Sequence, residues 1–171
     1  MHNKVIGSMG IPRIELINKY QRKYRIRWDY KDVLNENNEV IGVEYYEADI
    51  IDPTIESIKE IVITHYNKII DEKILIGFKW NDMPIWLSTE NQFNYKAAYD
   101  LAIQSQGKNL PIKFKFGSNE LPVYYTFTTV DELQNFYISA MTYINQCLDE
   151  GWQIKDSINW DDYDLAKLNQ A

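Results

Sequence analysis

Residues 112–136 read IKFKFGSNELPVYYTFTTVDELQNF, and this stretch decides the fold because it holds a complete hairpin and the start of a helix. Apolar residues alternate with lysines over 112–116, and after a turn at 117–120 an alternating pattern returns over 123–127, which predicts two paired strands. Thr129-Val-Asp-Glu132 is a capping box, so a helix is predicted to begin there. The helix carries an apolar stripe and is predicted to end at Gly151; the stripe comprises Leu133, Phe136, Ala140, Ile144 and Leu148.

The same order of elements is predicted twice before this stretch. Residues 22–50 form a hairpin with alternating strands, and a helix over 52–75 follows, with Asp52 as N-cap and Pro53 as its first residue. A short hairpin over 78–87 then precedes a helix that Ser88 or Thr89 caps and that ends near Gln106. Three hairpin-plus-helix units predict an α+β fold, with helices packed on one face of an antiparallel sheet.

The predicted domain organisation has three parts. Residues 1–21 form an N-terminal arm, and 22–160 form a single α+β domain built from the 22–50 hairpin, the 52–75 helix and a ββα-type core over 77–151. Residues 161–171 form a solvated acidic tail. Because the arm contains Gly7, Gly10 and Pro12, it is not expected to form one uninterrupted helix. It is expected to lie extended or broken against a neighbouring chain and to be dispensable for folding of the domain.

Charge argues against nucleic acid as the primary partner. The 171 residues carry a net charge of -7, whereas phosphate contacts need a positive surface. The basic segment 13–31 is expected to face Glu44, Glu47 and Asp49 across the first hairpin. The alternative is a basic stripe interleaved with aromatic residues that binds nucleic acid. No apolar run approaches the roughly 20 residues of a membrane span, so membrane insertion is not expected. No export signal is recognisable, so the chain is expected to be made in a cytosol.

No catalytic, cofactor-binding or metal-ligating residues are predicted. His65 lies on the apolar stripe of its helix, which favours a packed histidine over a ligand or a switch. Cys147 lies near Asp149 and Glu150 at the predicted end of its helix, and this acidic environment argues against a reactive cysteine. The chain is therefore predicted to be no enzyme and to need no cofactor, although a pair of carboxylates acting in glycoside hydrolysis is not readable from sequence.

Aromatic and apolar side chains are the predicted partner-binding residues. Tyr45 and Tyr46 are adjacent in one strand and Tyr124 and Tyr125 in another, so each pair points to opposite faces and one core does not bury all four. A partner protein is the favoured cover, because Tyr and Trp are enriched at interfaces. The alternative is a sugar bound on exposed rings. The candidate partner-binding residues are Ile6, Met9, Ile11, Ile14, Tyr46 and Tyr124.

Several motifs resemble one uncharacterised domain family. They are PTxxxIK (53–59), DEKIxxGFxW (71–80), PxWLSxENQxNYK (84–96), FKFG (114–117), YYxF (124–127), DELxxF (131–136) and GWxxKD (151–156). The chain resembles, over roughly 22–160, a domain found in phage and prophage proteins and often encoded among tail genes. The resemblance implies a non-enzymatic virion or tail-associated protein, or a factor in tail-fibre assembly, with other phage structural proteins as partners.

Overall fold

A computed structural model of the protein describes residues 3–117 and 120–168; the expected turn at 118–119, the start of the arm and the last three residues of the tail lie outside this part. The strands are β1 (Asn3–Gly7), β2 (Ile14–Asn18), β3 (Lys23–Leu34), β4 (Val40–Ile51), β5 (Lys79–Trp80), β6 (Met83–Pro84), β7 (Ile112–Gly117) and β8 (Pro122–Phe127). The helices are α1 (Ile55–Gly77), α2 (Thr89–Gln104), α3 (Val130–Asp156) and α4 (Leu165–Leu168), with a 3₁₀ turn at Trp160–Tyr163.

The α+β class and the three hairpin-plus-helix units are confirmed. The antiparallel pair β3–β4 precedes α1, β5–β6 precedes α2, and β7–β8 precedes α3. The strands form three separate sheets, one of four strands and two of two strands each. The chain divides into two units, the first made of residues 1–65 and 157–171, the second of 66–156.

The first unit differs from the expected N-terminal arm. Its sheet has the order β1-β4-β3-β2, so the segment 1–21 contributes a strand to each edge of the β3–β4 hairpin. Val5 lies opposite Tyr45, and Ile14, opposite Ile26, is buried. The physical reason is that a hairpin of two twelve-residue strands leaves unpaired backbone N–H and C=O groups along both edges. The short strands β1 and β2 pair with these groups.

The predicted cross-strand pairing of the first hairpin is confirmed. Arg25 lies opposite Asp49, and its Nε donates to Oδ1 of Asp49 over 2.7 Å. Ile26 and Trp28 are buried on the other face. Asp29 has a φ of 55° at a bulge, where two residues of β3 oppose one of β4.

Helix α1 begins later than predicted. Asp52 has a φ of 48°, and the N-cap is Thr54, whose hydroxyl accepts from the Ser57 N–H over 3.2 Å, while Ser57 Oγ accepts from the Thr54 N–H over 3.0 Å. The reciprocal bonds start the helix at Ile55.

The predicted packing of His65 is confirmed, since it is buried with its ring 4.2 Å from that of Tyr46.

The predicted acidic tail also differs from the structure. Within residues 157–168, Tyr163 is 1% exposed and its hydroxyl donates to the Arg27 carbonyl over 2.8 Å. Asp162 accepts from Arg13, and Lys59 lies 5.5 Å above the ring of Trp160. Tyr163 therefore anchors this segment in the first unit, because its ring is buried and its hydroxyl has a hydrogen-bond partner.

The second unit has an aromatic core. Phe136 of α3 is fully buried, with its ring among those of Phe78, Trp80, Tyr95, Phe114, Phe116 and Phe127. The predicted burial of Phe116 and Ile144 is confirmed, whereas Val123, expected in the core, is 39% exposed because it lies at the turn end of the β7–β8 hairpin beside Pro122.

The predicted starts of α2 and α3 are confirmed, and the predicted end of α3 is wrong. Ser88 caps α2, and the Thr129 hydroxyl accepts from the Glu132 N–H at the start of α3. However, α3 continues through Gly151 to Asp156. Gly151 is buried inside α3, where Ile70 packs so closely that a Cβ at this position would lie 2.7 Å from Cγ1 of Ile70.

Candidate functional site

The predicted partner-binding residues do not form one surface. Ile6 and Met9 are 69% and 63% exposed, Ile11 is half-buried, and Ile14 is buried in the core of the first unit. Ile6 and Ile14 lie on the two opposite edges of the four-stranded sheet. Tyr46 is half-buried against His65, and Tyr124 is 62% exposed in the second unit.

The second unit contains an open groove of about 750 Å³. We call it the hairpin groove; it is lined by Ile76, Pro84, Ile85, Trp86, Asn91, Lys115, Gly117 and Glu120. These residues come from the end of α1, from β6 and the segment that joins it to α2, from the start of α2 and from the turn end of the β7–β8 hairpin. The lining combines apolar side chains with an amide, an ammonium and a carboxylate.

An extended segment presents Trp86 to the groove. Ile85 and Leu87 are each 1% exposed, and their N–H groups donate over 2.9 Å to the carbonyls of Phe78 and Leu75. Successive side chains of extended backbone point to opposite sides, so Trp86, between two anchored residues, points outward and is 49% exposed. Its carbonyl accepts from Nδ2 of Asn91 over 2.8 Å, which fixes the amide in the groove.

The outer face of β7–β8 continues the groove. Lys115 lies directly opposite Tyr124, so both side chains are on the same, solvent-exposed face. Leu121, next to the lining residue Glu120, is 78% exposed. Gly117 has a φ of +77°, and a Cβ there would lie 2.4 Å from the Leu121 carbonyl oxygen, so only glycine fits this corner.

The first unit carries a charged surface on one face of its sheet. Nη2 of Arg27 lies 2.6 Å from Oε2 of Glu15, its Nη1 donates to the Pro12 carbonyl over 3.0 Å, and its Nε donates to Glu47 over 3.3 Å. Hydrogen bonds from Arg25 and Lys23 lower the pKa of Asp49 to about 2. Lys23, Arg25 and Arg27 thus pair with carboxylates of the sheet, as predicted for this hairpin. Arg27 links three strands, because Glu15 is in β2 and Glu47 in β4.

Two features are absent from the described residues, 3–117 and 120–168. In that part of the chain no helix has the length and apolar character needed to cross a membrane. Within the same residues no three or more histidine, cysteine, aspartate or glutamate side chains are grouped so as to hold a metal ion.

The model of one protein family, the Domain of unknown function (DUF4376), matches residues 57–169, which is more than half of the chain. The chain belongs to the DUF4376 family. The match includes all of the lining residues of the hairpin groove. Nothing among the curated proteins and nothing among the solved structures matches the chain.

Sequence reasoning missed the groove, and one pattern could have indicated it. In Pro84-Ile85-Trp86-Leu87 the tryptophan stands between two aliphatic residues in extended backbone. If Ile85 and Leu87 are in the core, then Trp86 must face solvent. The predicted partner residue Tyr124 lies opposite Lys115, which lines the groove of this DUF4376 protein.

Proposed function

We propose that this DUF4376 protein is a non-enzymatic structural or accessory component of a bacteriophage particle, associated with the tail and acting through protein–protein contacts. The motifs that resemble phage and prophage proteins support the phage context. In this proposal the chain is made in the host cytoplasm, becomes part of the virion and binds other phage structural proteins.

The observation that carries the proposal is the apolar surface at the hairpin groove. Ile76 is 60% exposed and Trp86 49%, and Leu121 and Tyr124 beside them are 78% and 62% exposed. Large apolar side chains gathered on a surface mark sites of interaction. A concave site with a half-exposed tryptophan supports a protein partner in particular, because Trp and Tyr dominate the binding energy of protein interfaces.

The partner would place an apolar side chain in the groove, against the indole of Trp86. The amide of Asn91 and the charges of Lys115 and Glu120 lie at the same site and can hydrogen-bond the backbone or polar groups of the partner. Truncating an anchoring tryptophan costs about 2 kcal/mol or more of binding free energy, which is roughly a 30-fold loss of affinity.

Mass spectrometry of particles purified from a phage or an induced prophage that encodes the chain tests the proposal. We expect the protein at a fixed copy number per particle, and a particle that carries Trp86→Ala should contain at least several-fold less of it. The matched control is Trp152→Ala, since Trp152 is 55% exposed in the same unit but lies outside the groove. Particles without the protein, with unchanged yield and infectivity when the gene is deleted, would refute a virion role; loss of tail fibres instead would favour an assembly factor.

A second candidate function is recognition of a carbohydrate on the host surface. The specific observation is that the half-exposed ring of Trp86 shares one groove with an amide, an ammonium and a carboxylate, which are the groups that bind sugar hydroxyls. Titration of the chain with purified host surface polysaccharide, followed by tryptophan fluorescence, separates the two candidates. Binding that Trp86→Ala abolishes and Trp152→Ala keeps would favour the carbohydrate.

A further inference from the structure

Helix α2 is apolar on two opposite faces. Its buried face carries Tyr95 and Ala102, which are 4% and 0% exposed and belong to the core of the second unit. On the opposite face Phe93 is 70% exposed, Leu101 is 52% exposed, and Ala97 between them is exposed too. Residues four apart share one side of a helix, so these three form a continuous stripe, which we call the α2 stripe.

We propose that the α2 stripe binds the α2 stripe of a second copy of this chain, with the two helices antiparallel. A twofold axis requires a surface that is complementary to itself. The α2 stripe has this property, because a small residue, Ala97, stands midway between two large ones. A twofold axis at Ala97 sets Phe93 of each copy against Leu101 of the other, and the two alanines allow the helices to approach closely.

Charges beside the stripe support a second copy as the occupant. Lys96 and Asp100 lie on one flank of the stripe, with Nζ of Lys96 2.7 Å from Oδ2 of Asp100. In an antiparallel twofold pair this flank meets the same flank of the other copy. At a rise of 1.5 Å per residue, Asp100 of one copy lies about 3 Å along the axis from Lys96 of the other, within reach of the lysine. The result is a row of four charges in the order Asp, Lys, Lys, Asp across the axis.

The other flank of the stripe brings no like charges together. This flank carries Glu90, Asn94 and Ala98, of which only Glu90 is charged, and the twofold arrangement sets the two Glu90 side chains about 21 Å apart along the helix axis. In the antiparallel pair, two Asp100–Lys96 contacts across the axis outweigh the one Lys96–Lys96 contact between them, and the other flank adds no repulsion. A parallel pair would place Asp100 beside Asp100 and Lys96 beside Lys96, which is repulsive.

The size of the stripe sets the strength of the contact. Two copies together would bury roughly 500–600 Å² of surface. This area follows from the exposed fractions of Phe93 and Leu101 and from about 150–250 Å² for a whole aromatic side chain. Stable interfaces bury about 1,200 Å² or more. The dimer is therefore expected to be weak, with a dissociation constant on the order of 100 µM, and to form where copies are held close together.

Sedimentation equilibrium of the full chain between 5 and 500 µM tests the proposal. We expect the apparent mass to rise with concentration from 20.3 kDa towards twice that value. Phe93→Glu should keep the chain monomeric over the whole range, and Ile103→Glu, which changes a 46% exposed residue of the same helix outside the stripe, should behave like the wild type. A wild type that stays monomeric at 500 µM, or an equal loss in both variants, would overturn the proposal.

A cross-linking experiment tests the antiparallel geometry separately. Ala97→Cys places an accessible thiol at the twofold axis, and the native Cys147 is buried. Mild oxidation at 200 µM should give a covalent dimer at least several-fold faster than with Ile103→Cys. Equal rates at the two positions would contradict the α2 contact. A particle that contains the chain only as a monomer would leave the proposed virion role standing and refute the dimer alone.

Discussion

Replacing Phe136 by alanine should strongly destabilise the second unit. The side chain is 0% exposed and six aromatic rings surround it at centroid distances of 5.0–6.3 Å. Truncation of a fully buried phenylalanine loses its transfer free energy and leaves a cavity, at a cost of about 3–5 kcal/mol. Because ring–ring contacts are lost as well, we expect the free energy of unfolding to fall by about 4–5 kcal/mol. Phe136→Leu keeps most of the volume and should cost about 1.5 kcal/mol.

Urea unfolding followed by circular dichroism at 222 nm measures the loss, and hydrogen exchange of peptides from α3 assigns it to the second unit. The control is Ile138→Ala, because Ile138 lies on the same helix and is 49% exposed; it should cost less than about 0.5 kcal/mol. A loss below about 1 kcal/mol for Phe136→Ala, or an equal loss at Ile138, would show that the register of α3 is wrong.

Three further predictions follow from contacts in the two units. Deleting residues 3–7 should lower the free energy of unfolding of the first unit by about 2–4 kcal/mol, since a paired edge strand is lost; an unchanged melting temperature would mean that the segment is a free arm. Asp49 has a folded pKa of about 2, below its ordinary value, so its ion pair with Arg25 should stabilise the fold above pH 4. As the pH falls from 4 to 2, the free energy of unfolding should fall by about 1 kcal/mol, after solvent screening, and Asp49→Asn should lack this fall in an acid titration. Gly151→Ala should cost about 1–3 kcal/mol by crowding Ile70, and in an Ile70→Ala background it should cost much less, which a double-mutant cycle in urea measures.

The parts of the fold that the sequence predicts are those set by local interactions. Ser88 and the Thr129–Glu132 capping box fix helix starts through hydrogen bonds within three residues, and alternation fixes the faces of β3, β7 and β8. The charge pairing of Arg25 with Asp49 follows from the hairpin, because residues across a short connection must face each other.

The parts that the sequence did not predict depend on residues far apart in the chain. Strand β1 has five residues and pairs with 43–47, so its pattern alone does not distinguish a strand from an arm. Gly151 looks like a helix stop, and only the approach of Ile70 explains it as a packing residue inside α3. The hairpin groove is assembled from three separate segments, and the outward-facing Trp86 of one segment does not show that the other two lie beside it.

The hydrogen bond from Tyr163 to the Arg27 carbonyl joins residues 136 positions apart, and this has a consequence for the order of folding during synthesis. Strands β2, β3 and β4 can pair as soon as residue 51 has left the ribosome, and β1 can add to them at the same time. The last piece of the first unit, however, follows residues 66–156 in the chain. Domains fold as their residues are made, so the second unit is ready to fold before the first is complete. During that interval the place of Tyr163 beside β3 is open, so the part of the nascent sheet that Tyr163 later covers stays exposed to solvent.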